Sequence, residues 1–169
     1  MTITHFEKFL KMNEGKWLTQ STIYDLNTNK KVSIQSQIIS TINNSQPRPL
    51  EIEDILKAKG SSFINLTTIS SNNVKNTSYN YFLDPKYNKN IKGFQGKLIR
   101  YEESSNVNNL LEGHFVLQAD GSCILNSKYK DFQIYEKYHF TSNNLRLYVN
   151  ITKQFGFSVI IAFNSDIRI

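Results

Sequence analysis

In the segment DFQIYEKYHF, residues 131–140, a carboxylate stands where an apolar side chain is expected. Period-two alternation puts Phe132, Ile134, Glu136, Tyr138 and Phe140 on one strand face and Gln133, Tyr135, Lys137 and His139 on the other. Glu136 therefore points with the oily row. A carboxylate there must find a charged or hydrogen-bonding partner or take up a proton. Either state is chemically useful, as an acceptor for ligand N–H groups or as a proton donor.

The next strand-like stretch, NLRLYVNITK at 144–153, follows through a TSNN hairpin. It alternates Leu145, Leu147, Val149 and Ile151 with Arg146, Tyr148, Asn150 and Thr152. The polar set reads as a solvent face or, equally, as an interior row. In the second case Arg146 lies on a strand neighbouring Glu136, answers its desolvation and offers a fork to a ligand carboxylate. Asp166 and Arg168 of the closing FNSDIRI share a face two residues apart and, taken alone, read as an exposed ion pair of little worth.

Other chemistries lack their residues. His5, His114 and His139 are far apart, with no HxH, HExxH or paired-cysteine spacing, so no metal centre is expected. No GxSxG elbow and no GxxxxGK[ST] phosphate loop occurs. The single cysteine, Cys123 in DGSCIL, reads as a small buried apolar residue, and Trp17 as a core or barrel-closing aromatic.

The elements that must hold these residues are mostly strands. THFEKFLKMNEGKW spaces Phe6, Phe9 and Leu10 as a helix, with Thr4 as N-cap and Gly15 as stop. Ten strand-like segments follow: WLTQSTIYDL, KVSIQSQIISTI, SFINLTTISS, TSYNYFLD, FQGKLIRYEE, LEGHFVLQ, SCILNSKY, DFQIYEKYHF, NLRLYVNITK and FSVIIAFNSDIRI. Turn signals such as NTNK, DPKYNKN, ADGS, TSNN and QFGF separate them. A second short helix, LEIEDILKAKG, is expected after the PRP turn. The expectation is an all-β, antiparallel up-and-down barrel of about ten strands, wide enough for a small ligand.

The 169 residues read as one domain, 1–169, that is 39% hydrophobic and 20% charged. Its net charge of +6 comes from lysines scattered singly, without a nucleic-acid motif, and suits an acidic partner or ligand. Neither nucleic acid nor membrane is an expected partner. One cysteine allows no internal disulfide, and MTITHFEKFLKMNEGKW has no signal-peptide pattern, so a cytoplasmic protein is expected.

The same segments carry a family resemblance. EGKWLTQST at 14–22, GFQGKL at 93–98, ADGSCIL at 119–125, YEKYHFTSNNLRL at 135–147 and FGFSVIIAFNSDIRI at 155–169 together resemble, in order, the S-type phycobiliprotein lyases, CpcS/CpeS. The resemblance is strongest to the phycoerythrin-directed members. It implies a lipocalin or fatty-acid-binding type of barrel with a pocket for an open-chain tetrapyrrole. No cofactor is implied beyond the transferred bilin itself, phycoerythrobilin with phycocyanobilin as the alternative. The implied reaction attaches that bilin to a cysteine of an apo-phycobiliprotein subunit, phycoerythrin β foremost. A bilin reductase as donor and a homodimer also follow from it.

By the same resemblance Glu136 and, second, Asp166 are the candidate catalytic acids. Arg146, with Tyr148, Asn150, Phe94 and Arg168, forms the candidate bilin-binding set. The chain departs from the family at Ser21, where an Arg is frequent, at Phe94, where a Trp commonly precedes the Gly, and at Asp166, frequently a Glu. A non-catalytic bilin carrier and a fatty-acid-type lipid carrier are the competing functions.

Overall fold

The computed structural model describes residues 4–42, 63–71, 75–103 and 108–169. The chain opens with helix α1, Thr4–Asn13, followed by β1 Gly15–Asp25, β2 Lys30–Ile42, β3 Phe63–Ser71, β4 Lys75–Asn88 and β5 Gly93–Glu103. It continues with β6 Asn108–Leu117, β7 Cys123–Tyr129, β8 Phe132–Ser142, β9 Leu145–Gln154 and β10 Phe157–Arg168. Every strand pairs antiparallel with its neighbours in sequence, and β1 pairs with β10, so the sheet closes into a ten-stranded barrel. Closure removes both free sheet edges. The second expected helix, 50–60, lies outside the described residues.

Hairpins set the register. In one case the turn chemistry acts differently from the expectation: DPKY does not end β4, which runs on to Asn88. The ladder shifts between Leu83 and Lys86, and Asp84 takes φ 47°. Pro85 has no N–H to give the ladder, and a bulge is where a strand tolerates that loss.

Alternation along the strands decides what faces the lumen. On β1 the inward row runs from Trp17 (0% exposed) and Thr19 (1%) to the half-buried Ser21 and Ile23; on β2 it runs from Ser40 (1%) and Ile38 (8%) to Val32 (50%). Burial thus falls steadily from one end of the barrel to the other. Helix α1 plugs the buried end. Phe6, Phe9 and Leu10 all point into it, and Phe6 stacks on Phe115 at 5.1 Å and meets Phe82 edge-on at 5.5 Å. A second buried group, Tyr79, Tyr81, Leu83, Ile99 and Tyr101, occupies the opposite face of β4 and β5.

Two residues lock the plug. Gly15, at φ 127°, turns the chain from helix to strand, and a Cβ there would sit 2.6 Å from Arg168 Nη1. Arg168 in turn donates to the carbonyls of Glu14 (2.5 Å), Met12 (2.7 Å) and Asn143 (3.1 Å), with its guanidinium 4.2 Å from the Trp17 ring centroid. A cation on the last helical carbonyls answers both their unmet acceptors and the helix dipole. No described helix is long and apolar enough to cross a membrane.

Phe6→Ala removes the ring on which the plug packs. It should cost about 3–5 kcal/mol, read as a lower urea midpoint with an unchanged slope.

Candidate functional site

Glu136 is inward and 4% exposed, in a row it shares with Phe132, Ile134, Tyr138 and Phe140. Its partner is not Arg146. Arg100, on β5, reaches across the lumen, and its Nη2 donates to Glu136 Oε2 at 2.5 Å. β5 and β8 are separated by β6 and β7, so this is a transannular pair rather than a ladder neighbour. Arg100 Nε donates to Asn80 Oδ1 at 2.7 Å, which fixes the fork. The other carboxylate oxygen of Glu136 accepts from Tyr138 Oη at 3.1 Å and Asn150 Nδ2 at 3.4 Å. In all its contacts Glu136 is therefore an acceptor.

Arg146 stands opposite Asp166 in the β9–β10 register. Its Nε donates to Asp166 Oδ2 at 2.7 Å, Nη2 binds the same oxygen, and Nη1 donates to Asn13 Oδ1 at 2.6 Å. Trp17, Tyr138, Phe140 and Tyr148 surround the guanidinium, with centroids between 4.9 and 5.9 Å. Tyr138 and Tyr148 stack at 4.8 Å. The interior reading of the β9 polar row is the observed one: Arg146, Tyr148 and Asn150 line the lumen, while Leu147 lies on the opposite face and is exposed.

The expected Asp166–Arg168 surface pair is replaced by two different bonds, because Asp166 is fully buried with Arg146 and Arg168 holds α1. Phe94 is buried against Phe6 and Tyr87 in the plug, away from the two ion pairs. Ser21, which stands where an Arg is frequent, donates to Asn164 Oδ1 at 2.5 Å. Cys123 is buried in the apolar cluster, and burial with the nearby Glu136 pushes its thiol far up. It is the buried apolar residue expected of it.

A cavity of about 100 Å³ lies between the two arginines, bounded by Arg100, Asn80, Tyr138, Arg146, Tyr148 and Asn13. Burial lowers the basicity of Arg100, but Glu136 more than offsets this, so its pKa is raised. Desolvation drives Tyr138 and Tyr148 well above the usual phenol range, so both stay neutral donors. Asp166 Oδ1 and Thr19 Oγ1, on facing positions of β10 and β1, are buried and have no hydrogen-bond partner among the described residues.

Sequence reasoning missed Arg100 and also Glu102. The Glu102 side chain is 41% exposed and lies 3.9 Å from Arg100 Nη1, on the side of the lumen where burial falls off. Burial raises its pKa, Arg100 opposes the shift, and Glu136 adds to it. The signal was present in GKLIRYEE, where apolar residues occupy both faces around Arg100, as in a strand covered on both sides. No cluster of metal-ligand residues occurs among the described residues.

Removing one member of a buried pair strands the other charge. Arg100→Met should cost roughly 3–5 kcal/mol, and adding Glu136→Met should restore most of it. Urea denaturation of the two variants beside wild type measures both.

The CpeS-like protein family model matches residues 5–169. A chromophore lyase CpcS/CpeS homolog of Pyropia yezoensis is 27% identical over 95% of this chain and 96% of its own. The corresponding protein of Porphyra purpurea is 26% identical over the same shares, and chromophore lyase CpcS/CpeS 2 of Synechococcus sp. (strain JA-3-3Ab) is 24% identical over 95% and 88%. The solved structure of the S-type phycobiliprotein lyase CPES from Guillardia theta superposes with TM-score 0.67 at 20% identity, covering 97% of this chain and 92% of that one. That superposition shows the shared fold. By a match running nearly end to end, the chain belongs to the CpeS-like family.

Proposed function

We propose that this protein binds an open-chain tetrapyrrole and promotes its thioether attachment to a cysteine of a phycobiliprotein subunit. Phycoerythrobilin and a phycoerythrin β-subunit are the preferred pigment and acceptor. The names of the curated relatives support the activity class. The observation that carries the reading is the pair of buried arginines lining one cavity, each with a carboxylate behind it.

A bilin presents two propionates and a row of pyrrole nitrogens, an anionic edge and a set of N–H donors. Arg146 holds one propionate as a fork and Arg100 is placed to hold the second. Glu136, already an acceptor, takes pyrrole N–H bonds, and the unmet Asp166 Oδ1 takes another. Tyr148 and Asn150 add a ring face and an amide beside them.

Attachment is an addition without redox change. The thiol S–H bond breaks, a C–S bond forms at the ethylidene carbon of ring A, and a proton ends on the pigment. Glu102 supplies that proton: its carboxyl lies beside Arg100 toward the less buried end of the lumen, and burial raises its pKa. The thiol proton then returns to its carboxylate. Holding the pigment in one geometry supplies the rest of the acceleration.

A drug-sized ligand fills roughly 300–1,000 Å³, several times the about 100 Å³ between the arginines. Loading must therefore move side chains, and the pigment extends toward the less buried end.

The test is bilin loading by absorbance, then covalent transfer to apo-phycoerythrin β-subunit under denaturing acid conditions, with phycocyanobilin and other apo-subunits alongside. Wild type should outpace the spontaneous reaction. Arg146→Gln should load at least about 10-fold more weakly, Glu102→Gln should transfer roughly 100-fold more slowly, and Cys123→Ser should match wild type. The wild-type rate should fall as pH rises through the raised Glu102 pKa, a limb absent from Glu102→Gln. Loading without accelerated transfer would make the protein a carrier, and fatty-acid uptake without pigment a lipid carrier.

A further inference from the structure

Strand β9 turns into β10 through Phe155 and Gly156, with Gln154 facing Phe157. Both turn residues have positive φ, 50° and 86°. This is the two-residue hairpin in which Asn-Gly is favoured, because a bulky side chain is poorly tolerated at the first position. Here that position holds a phenylalanine, and it is 74% exposed beside Phe157 at 77%. Two bare rings on a turn that a polar residue would suit better serve neither folding nor solubility.

Their position gives them a use. The hairpin lies at the end of the barrel remote from α1, where the inward rows become exposed. Leu26 N donates to Val159 O at 2.9 Å, bringing Leu26 (46% exposed) and Ile160 (39%) beside the rings as one apolar rim. The flanks are basic: Lys30, Lys31 and Lys153 stand on the adjoining strand ends, with Lys128 and Lys130 at the next hairpin. The described acids at this end are Asp25, Glu103, Asp131, the inward Glu102 and Glu112, which faces Lys128 across the β6–β7 ladder. At the strand ends next to the hairpin they are Asp25 and Asp131, and Asp25 is turned into its own loop, accepting from the N–H groups of Asn27 and Thr28.

We infer that the Phe155–Phe157 hairpin and its apolar rim form the docking surface for the protein that receives the pigment, at an apolar patch on that protein ringed by acidic side chains. This rests on the transferase reading above. A thiol on a macromolecule can reach a pigment in the lumen only at an end that is not plugged, and the α1 end is filled by Phe6, Phe9 and Leu10. A second copy of this chain is a poor occupant, since two copies meeting through this face would set lysines against lysines. An acidic acceptor is steered by the same lysines and covers the rings on arrival.

The test uses Phe155→Asn with Phe157→Ser, in which Asn suits the positive φ and the fold is retained. Bilin loading and thermal stability should match wild type. In single-turnover transfer from loaded protein to apo-phycoerythrin β-subunit, the half-saturating acceptor concentration should rise at least fivefold with the plateau rate unchanged. Transfer to 2-mercaptoethanol should be unaffected. Added salt should raise the wild-type half-saturating concentration.

Unchanged acceptor dependence in the variant would overturn the inference while leaving the transferase reading standing. So would a loss confined to binding of anionic phospholipid vesicles, which would make the rim a membrane contact. If wild type loads no bilin, or transfers to none of the apo-phycoerythrin, apo-phycocyanin and apo-allophycocyanin subunits tested, the transferase reading fails first and the docking surface falls with it.

Discussion

The contact on which the rest of the site depends is the bond across the lumen between Arg100 and Glu136. Neither group can sit in the lumen alone, since an unpaired buried charge costs several kcal/mol. Each is held from behind as well, Arg100 by Asn80 and Glu136 by Tyr138 and Asn150. The pair joins strands that make no ladder with each other, so it fixes where β5 stands relative to β8 across the barrel. Such a pair contributes little net stability over an apolar core of the same shape. Its value lies in keeping two charged groups in place beside a cavity.

The second pair extends that arrangement to the plug. Arg146 binds Asp166 on its own sheet and Asn13 on α1, while Asn13 Nδ2 donates to the Phe9 carbonyl at 2.8 Å. Trp17 lies between Arg146 and Arg168, with its indole N–H donating to the Asn13 carbonyl at 3.0 Å. A ligand carboxylate that takes the Arg146 fork therefore competes with contacts that seat the helix. Site and plug are one hydrogen-bonded unit, and the one helix among the described residues fills this end of the barrel rather than the opposite one.

The sequence made the barrel, the first helix and the inward direction of Glu136 readable, because each is written in local periodicity. What it concealed was which charges meet. Arg100 and Glu136 are 36 residues apart with two strands between theirs, and no local pattern records a bond across a lumen. Asp166 and Arg168 look like partners two residues apart, yet Asp166 answers Arg146 through register and Arg168 answers the helix end. The β9 row was ambiguous for a physical reason: the lumen is apolar around α1 but polar along β9 and β10, where Leu147, Phe163 and Ile167 face outward and are exposed. Hydrophobicity alone would have turned both strands inside out.

The central claim is that the interior arginines recognise the acidic side chains of the pigment. The most direct measurement is a chemical cycle comparing phycoerythrobilin with its dimethyl ester, each titrated into wild type and Arg146→Gln. The account predicts that esterification weakens binding to wild type by at least about 10-fold, the scale of one charged hydrogen bond. It also predicts that the ester binds both proteins alike. Equal affinity of wild type for acid and ester, or an equal loss of both ligands in the variant, would contradict it, and Arg146 would then serve only to seat the helix.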